Sequence, residues 1–495
     1  MIVAAISTPP IDWFALSPSL VLLGAAAVCL LAAVLVSRET SRLLSGSVAA
    51  AAFVGAFVAA CLLFARSPHP ESLIAGSMTR DRLGALAAVL IAGAGLVSVG
   101  VAWRMRLRAH TAEFYGLLAA AAAGMVFLVT ATSLITLFLG LEWFSIALYI
   151  LCAIDSELEG SLEAGLKYLV VGGFGSAILL FGSALVYGAT GQVDFSDIAQ
   201  AVGAKDLSGN AMLVTGLAMI IAGLGFKASA APFHMWTPDV YEGAPTPVTG
   251  FMSAATKTTA LVLTLRVLNT AFPQEKHLWS IALAVIVCAS LAVGNLAALV
   301  QRNVKRLLAY SSISHAGFML MPIAAGNSLG ARAVLFYLIP YSAASILAFA
   351  VVTARERELG QPVTFDNIAG LGWERPLLGA GMWAAMLSFA GLPLTGGFVG
   401  KFYAFSAAYD RGWTWLVIVG AVATAVSLYY YFALVRAMYM RSPAAMQLAP
   451  TGGQPPRELA LQTAAFACLV VTVASFFAVE PLIKICRLAA ASIGL

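Results

Sequence analysis

Charge is what this sequence has least of: Asp, Glu, Lys and Arg make up 10% of its 495 residues, beside a hydrophobic share of 61%. Soluble domains carry roughly 25% charged residues, so a soluble globular chain is excluded, and no nucleic-acid partner is expected. Cysteine is scarce and scattered. Cys29, Cys61, Cys152, Cys288, Cys468 and Cys486 form no CxxC pair and lie mostly in apolar runs, where Cys acts as a small hydrophobe. A disulfide framework, a zinc site and an iron–sulfur site are thereby excluded, and the five histidines do not cluster either. Phosphate loops, nucleophile elbows, HExxH and a strand–GxGxxG–helix unit are all missing. The chain is therefore expected to hold no cofactor and no metal. Any redox chemistry connected with it would use cofactors on other chains. The opening stretch MIVAAISTPPIDWFALSP has no basic n-region and no small-residue cleavage site, and reads as a retained lead-in to the first helix.

What is present is apolar length. The mean hydropathy is +0.92, and about fourteen segments meet the roughly 20-residue requirement for a bilayer-spanning helix. The reading is an all-α polytopic membrane protein, one integral domain over 1–495, partnered by the lipid bilayer. Its spans are placed at 15–36, 44–65, 83–103, 114–131, 134–154, 163–189, 211–241, 246–270, 278–299, 304–324, 329–353, 376–409, 413–438 and 459–480. Two of these, 211–241 and 376–409, are broken. In the first, AMLVTGLAMIIAGLGF meets Lys227 and then Pro232, His234, Pro238, Asp239, Glu242, Pro245 and Pro247. In the second, SFAGLPLTGGFVGKFYAF carries two Gly pairs, Pro393 and Lys401. Irregular backbone at membrane depth is tolerated only inside protein or against a wet cavity, so each break marks a candidate ion pathway.

Basic residues are unevenly shared between loops. The odd-numbered loops hold Arg38, Arg42, Arg104, Arg106, Arg108, Arg302, Lys305, Arg306, Arg355, Arg357, Arg375, Arg441 and Arg457, and the even-numbered loops hold fewer. The positive-inside rule then puts the odd loops in the cytoplasm and both termini on the opposite, periplasmic side. Against this, Asp155, Glu157, Glu159 and Glu163 make the loop after helix five acidic.

The chain also repeats itself. LKYLV at Leu166 matches LFYLI at Leu335, GQVDFSDIAQA at Gly191 matches GQPVTFDNIAGL at Gly360, and AGLGFK at Ala222 matches AGLPLT at Ala390. Each unit, 114–270 and 278–440, holds five helices. An odd number of spans makes the second copy enter from the opposite side, giving an inverted repeat with paired discontinuous helices. The first three helices (1–110) and the last (459–495) flank the two units.

Ionisable residues inside spans are costly and mark function or locked pairs. Glu142 is the lone acid of LFLGLEWFSIALYIL; either it works in a wet site or it locks two helices in an ion pair. Lys167 opens helix six, where it either meets Glu142 or reaches out to the interface. Lys227, Lys257 and Lys401 are the sharper cases, since a lysine removed from water gives up its proton more easily and can be switched by a nearby charge. A structural lysine bonded to carbonyls freed by a helix break is the other reading, weakest for Lys257, near which no break is expected. His315, in AYSSISHAGFMLM, is either a relay or a packing residue. His234 and Asp239 would organise the first break, and Lys305 would anchor an interface or join the relay.

These residues carry a resemblance. PFHMWTPDVYEGAPTPV at Pro232, NVKRLLAYSSISHAGF at Asn303 and GLPLTGGFVGKFY at Gly391 make the chain similar, over nearly its whole length, to the antiporter-like membrane subunits of proton-pumping NADH–quinone oxidoreductase (respiratory complex I), and most to their subunit N branch. The M branch typically has Glu where Lys401 stands, and the L branch a long lateral helix for which this chain has no room. The resemblance implies that Glu142, Lys227, Lys257 and Lys401 carry protons, with His315 and Lys167 as further members, Lys227 acting as inner switch and Lys401 as exit. It implies NADH, FMN, iron–sulfur clusters and quinone in partner subunits, the other membrane and peripheral subunits of the complex as partners, and a bacterial inner membrane as location. A cation/proton antiporter or membrane-bound hydrogenase subunit of related fold stays open, as does a non-pumping scaffold.

Overall fold

The computed structural model describes residues 11–105, 107, 110–440 and 458–495. Arg106, Arg108, Arg441, Arg457 and most of the lead-in fall outside the described residues. In chain order the elements are α1 (Trp13–Leu35), α2 (Arg38–Arg66), the hairpin β1 (Glu71–Leu73) and β2 (Met78–Arg80), α3 (Arg82–Ala102), α4 (Thr111–Val129), α5 (Leu134–Cys152) and α6 (Glu159–Thr190). Then come α7 (Phe195–Ala204), α8 (Ala211–Lys227), α9 (Trp236–Gly243), α10 (Thr246–Phe251), α11 (Lys257–Thr270), α12 (Lys276–Ala298), α13 (Val304–Ala325) and α14 (Ser328–Leu359). The chain closes with α15 (Leu371–Glu374), α16 (Pro376–Ala390), α17 (Gly396–Asp410), α18 (Thr414–Met440), α19 (Leu459–Phe477) and α20 (Val479–Ala490). Among the described residues twelve helical spans are long and apolar enough to cross a membrane, α10 and α11 counting as one through a π-helical turn at Met252–Thr256. Two shorter apolar helices, α8 and α16, end where the sequence places its breaks.

Local chemistry sets these ends. Asp12, Ser133, Asn210, Asn303 and Asn327 each accept a hydrogen bond from a backbone N–H of the helix that follows, satisfying donors that have no partner within a first turn. α6 and α14, both 32 residues long, stop at Gly191 and Gly360 in the left-handed conformation.

Those two ends belong to a larger match. Ser133 forms an antiparallel bridge with Asp194, and Asn303 forms one with Thr364. In the first, Leu134 N–H donates to Val193 O and Phe195 N–H to Thr132 O; in the second, Val304 N–H donates to Val363 O and Phe365 N–H to Arg302 O. The same bridge is made twice, about 170 residues apart, and each time it holds a helix start against the segment that leaves a 32-residue helix.

Burial separates an inner from an outer set. The best apolar windows of α10–α11, α13 and α14 are 94–100% buried, whereas those of α2, α18 and α19 are 33% buried. Outward faces carry Val34, Leu166, Phe174, Ile418 and Phe477, as a lipid-facing surface requires. The inner helices carry the polar side chains. At one end, residues from every odd-numbered loop after the first line a cavity of about 1150 Å³, among them Arg104, Asp155, Glu242, Arg306, Arg375 and Glu458. Near the opposite end, the Arg266 guanidinium of α11 grips Asp81 through two bonds of 2.6 and 2.9 Å, both groups being buried. Asp81 also caps α3, so this pair ties α11 to the start of α3.

Candidate functional site

α8 stops at Lys227, and the backbone runs non-helically until α9 begins at Trp236. Lys227 is 2% exposed. Its Nζ donates to Ser145 Oγ on α5 at 2.7 Å. The Ser145 hydroxyl proton is itself given to the carbonyl of Leu141, which leaves the oxygen lone pairs for the lysine. Four ring faces surround the same nitrogen: Phe144, Phe226, Tyr168 and Tyr149, with centroids 5.3, 5.4, 5.6 and 5.7 Å away. Glu142 stands one helical turn before Ser145 on α5, half-buried, with a buried carboxylate oxygen that meets no hydrogen-bond partner. The acid and the hydroxyl that receives Lys227 are thus neighbours on one helix.

Lys257 is the first residue of α11, directly after the π-helical turn. Sequence reading expects no irregularity near it; the structure places one against it, of the kind that often accompanies a functional position. Its Nζ donates to the carbonyls of Ala228, in the first break, and of Ser312, in α13, at 3.1 and 2.5 Å. The reading of a lysine bonded to carbonyls at a helix break, weakest for this residue from the sequence, is the one its contacts match.

From Ser312 the polar groups continue through α13. Tyr341 O–H of α14 donates to Ser312 Oγ at 3.1 Å. One residue back, Ser311 Oγ and Tyr431 O–H of α18 are 2.5 Å apart. Tyr431 meets His315 Nε2 at 3.2 Å, and His315 Nδ1 meets Tyr337 O–H of α14 at 2.9 Å. Hydroxyl and imidazole side chains can each donate and accept, as proton hopping requires. His315 is bonded at both ring nitrogens, inside the buried core.

Lys401, on α17 after the second break, is 3% exposed. Its Nζ lies 4.3 Å from the centroid of Phe318, three residues beyond His315, and donates to the carbonyl of Ala390 at 3.4 Å. Gly391 ends α16 at φ +73, and a Cβ there would stand 2.7 Å from Lys401 Cδ. Glycine is required at that turn on both counts.

Lys167 lies elsewhere. Its Nζ contacts Asp239 and Glu163, both at 2.7 Å, with 41% of its side chain exposed at the rim of the large cavity. The expectation that it meets Glu142 is corrected. Position 167 lies little more than two turns from the α6 start, and Glu163, one turn back, draws it outward. Asp239 also accepts from Arg306 at 2.8 Å, and Arg306 reaches Glu242 at 2.8 Å. This ion cluster fastens α9, which follows the first break, to α6 and α13. His234 has a buried Nδ1 without a partner. Lys305 donates to the carbonyl of Ala244 at 2.8 Å and lies 3.9 Å from Glu356.

Sequence reasoning missed Ser145, Ser311, Ser312, Tyr337, Tyr341 and Tyr431. Serine and tyrosine are unremarkable in a span, and only the tyrosine match between Leu166–Val170 and Leu335–Ile339 hinted at Tyr337. Among the described residues, no group of three His, Cys, Asp or Glu side chains is placed to hold a metal ion.

Comparison with known proteins places this arrangement. The family described as "NADH:quinone oxidoreductase/Mrp antiporter, TM" matches residues 131–427. A relative from Roseiflexus castenholzii, called NADH-quinone oxidoreductase subunit N 2, is 39% identical over 447 residues, covering 88% of this chain and 89% of its own. A chain of respiratory complex I from Thermus thermophilus, solved with bound aureothin, superposes with a TM-score of 0.79 at 33% identity, covering 94% of this chain and 98% of that one. A chain of the Mrp complex from Dietzia sp. superposes with a TM-score of 0.84 at 21% identity, covering 97% of both; that likeness concerns the fold alone. The chain belongs to the NADH:quinone oxidoreductase/Mrp antiporter transmembrane family, and within it to the group of NADH-quinone oxidoreductase subunit N.

Proposed function

We propose that this chain is a proton-translocating membrane subunit of an NADH–quinone oxidoreductase complex, and that protons cross it by way of Glu142, Lys227, Lys257, His315 and Lys401. The observation that carries the reading is the buried polar row from Ser145 and Lys227, through Lys257 and Ser312, to His315 and Tyr337 beside Lys401. Lysine, hydroxyl and imidazole groups buried at membrane depth have a desolvation cost and no evident packing advantage.

In this reading, quinone reduction in partner subunits changes the charge near Glu142. The change reaches Lys227 through Ser145, because charges interact strongly in a low-dielectric interior. The proton that Lys227 releases passes Lys257 and the hydroxyl–imidazole row towards Lys401, with water completing the steps that direct contacts do not span. Lys167 tunes the cluster at Asp239 from the cavity rim.

The finer architecture follows the same reading. α8–α9 and α16–α17 each make one broken crossing, for fourteen in all, and 114–270 and 278–440 are inverted copies, supported by the matched bridges at Ser133 and Asn303. The odd-numbered loops, which after the first meet at the large cavity, face the cytoplasm of a bacterial inner membrane, and both termini face the periplasm. NADH, FMN, iron–sulfur clusters and quinone belong to partner subunits, and this chain carries no redox group.

The test is the whole complex purified with Lys227→Ala and reconstituted into vesicles. Quinone reduction is expected to continue while protons moved per electron fall. Full assembly with unchanged stoichiometry would overturn the reading and favour a scaffold.

A further inference from the structure

Lys227 is the most enclosed of the three lysines in aromatic surface, and has a single hydrogen-bond acceptor. Among the described residues it forms no ion pair within 4.0 Å, and its direct hydrogen bond goes to a neutral hydroxyl. Lys257 has two carbonyls, and Lys401 one carbonyl and one ring. Around Lys227 four ring faces stand 5.3–5.7 Å from Nζ, supplied by α5 (Phe144 and Tyr149), α6 (Tyr168) and α8 (Phe226). The face of an aromatic ring is the negative end of its quadrupole. An ammonium within about 6 Å is attracted, most strongly where water is excluded. We infer that Phe144, Tyr149, Tyr168 and Phe226 form an aromatic cage that holds Lys227 as a cation between proton transfers, and that they are positioning residues for its switching.

The cage is joined to the break. Tyr168 stacks on Trp236 with centroids 4.5 Å apart and planes 11° apart, and meets Tyr149 edge-on at 4.8 Å. Trp236 opens α9 on the far side of the break, and its indole N–H is fixed to the Phe226 carbonyl at 3.2 Å. The stacked pair therefore links α9, beyond the break, to the ring faces around the ammonium. The break and the charge on Lys227 are coupled through one stacked pair. The Tyr168 hydroxyl is buried without a partner, so the ring face is what this residue contributes. The titratable groups brought near Lys227 by the packed elements are Glu142 and Tyr149 from α5, Tyr168 from α6 and Lys257 from α11, whose Nζ sits on the Ala228 carbonyl.

The inference rests on Lys227 belonging to the proton path, and the experiment separates the two. The intact complex carrying Tyr168→Leu, Tyr168→Phe, Phe144→Leu or Lys227→Ala is reconstituted in vesicles, and protons moved per quinone reduced are followed across pH. Without one ring face the cation is held less firmly, so the alkaline limb of pumping in Tyr168→Leu and Phe144→Leu is expected to move down by about one pH unit. Tyr168→Phe keeps the face and is expected to follow the parent. A Tyr168→Leu profile that overlays the parent's, or a Tyr168→Phe profile that moves with Tyr168→Leu, overturns the cage. Phe144→Leu reads the same quantity should Tyr168→Leu fail to assemble. Pumping unchanged by Lys227→Ala would instead bring down the underlying reading of the path.

Discussion

Lys257 Nζ donates at 3.1 Å to the main-chain carbonyl of Ala228, the residue that follows Lys227. Two lysines far apart in sequence thus meet at one break, the first ending the helix and the second holding the chain where it leaves. A proton on Lys257 consequently stabilises the geometry that places Lys227 on Ser145. Removing the amine leaves the Ala228 carbonyl without it, and an unsatisfied buried acceptor costs about 1–3 kcal/mol. Lys257→Met is expected to assemble with reduced stability and to pump at least about tenfold more slowly, the rate equivalent of roughly 1.4 kcal/mol. Proton uptake by vesicles at matched complex content would decide this, and an undiminished rate would remove Lys257 from the path.

Ser145 offers a gentler perturbation of the same centre. Its hydroxyl accepts from Lys227 and donates to the Leu141 carbonyl. Ser145→Ala takes away the one hydrogen-bond acceptor of a buried amine, at a cost of about 1–3 kcal/mol, and pumping is expected to fall roughly 5- to 160-fold. Ser145→Thr keeps the hydroxyl and is expected to recover most of it. Equal losses in the two variants would point to packing alone.

The three lysines are legible in the sequence because a cation among apolar residues has few explanations, and the two breaks because proline and paired glycine interrupt helical spans. The partners are not. Ser145 lies 82 positions from Lys227, and Tyr431 lies 116 from His315, so nothing local announces either contact. Lys167 meets a different carboxylate from the one expected, since hydropathy gives the depth of a residue but not the face of its helix. The π-helical turn before Lys257 leaves no proline or glycine signal to read: MSAAT is ordinary helix-compatible sequence.

Gly391 tests how finely Lys401 must be placed. Its φ of +73, and the 2.7 Å that would separate a methyl group at this position from Lys401 Cδ, make alanine unwelcome there twice over. Gly391→Ala is expected to cost about 1–3 kcal/mol in local strain and to impair pumping, although residue 391 carries no charge. Gly412, also at positive φ but with nothing near its missing side chain, is the control: Gly412→Ala should strain a turn and leave pumping per electron intact. If both variants pump alike, the position of Lys401 is not critical.

Asp81 and Arg266 are joined by two hydrogen bonds across 185 residues, with both groups buried. Breaking a buried pair by removing one member strands the other charge and typically costs about 3–5 kcal/mol, whereas replacing both members by apolar groups costs far less. Asp81→Leu and Arg266→Leu singly are therefore expected to lower the assembly and thermal stability of the complex sharply. The double variant should recover a large part of the loss, giving a coupling energy of about 2 kcal/mol or more in the cycle. Because the pair clamps the end of α11 that lies away from Lys257, the double variant is also expected to pump with near-parental stoichiometry once assembled. Stability measured by thermal aggregation of the detergent-solubilised complex, together with proton uptake, separates the two effects. Additive losses in the cycle would mean that the two residues do not depend on each other, and poor pumping in a stable double variant would move the pair from the scaffold into the mechanism.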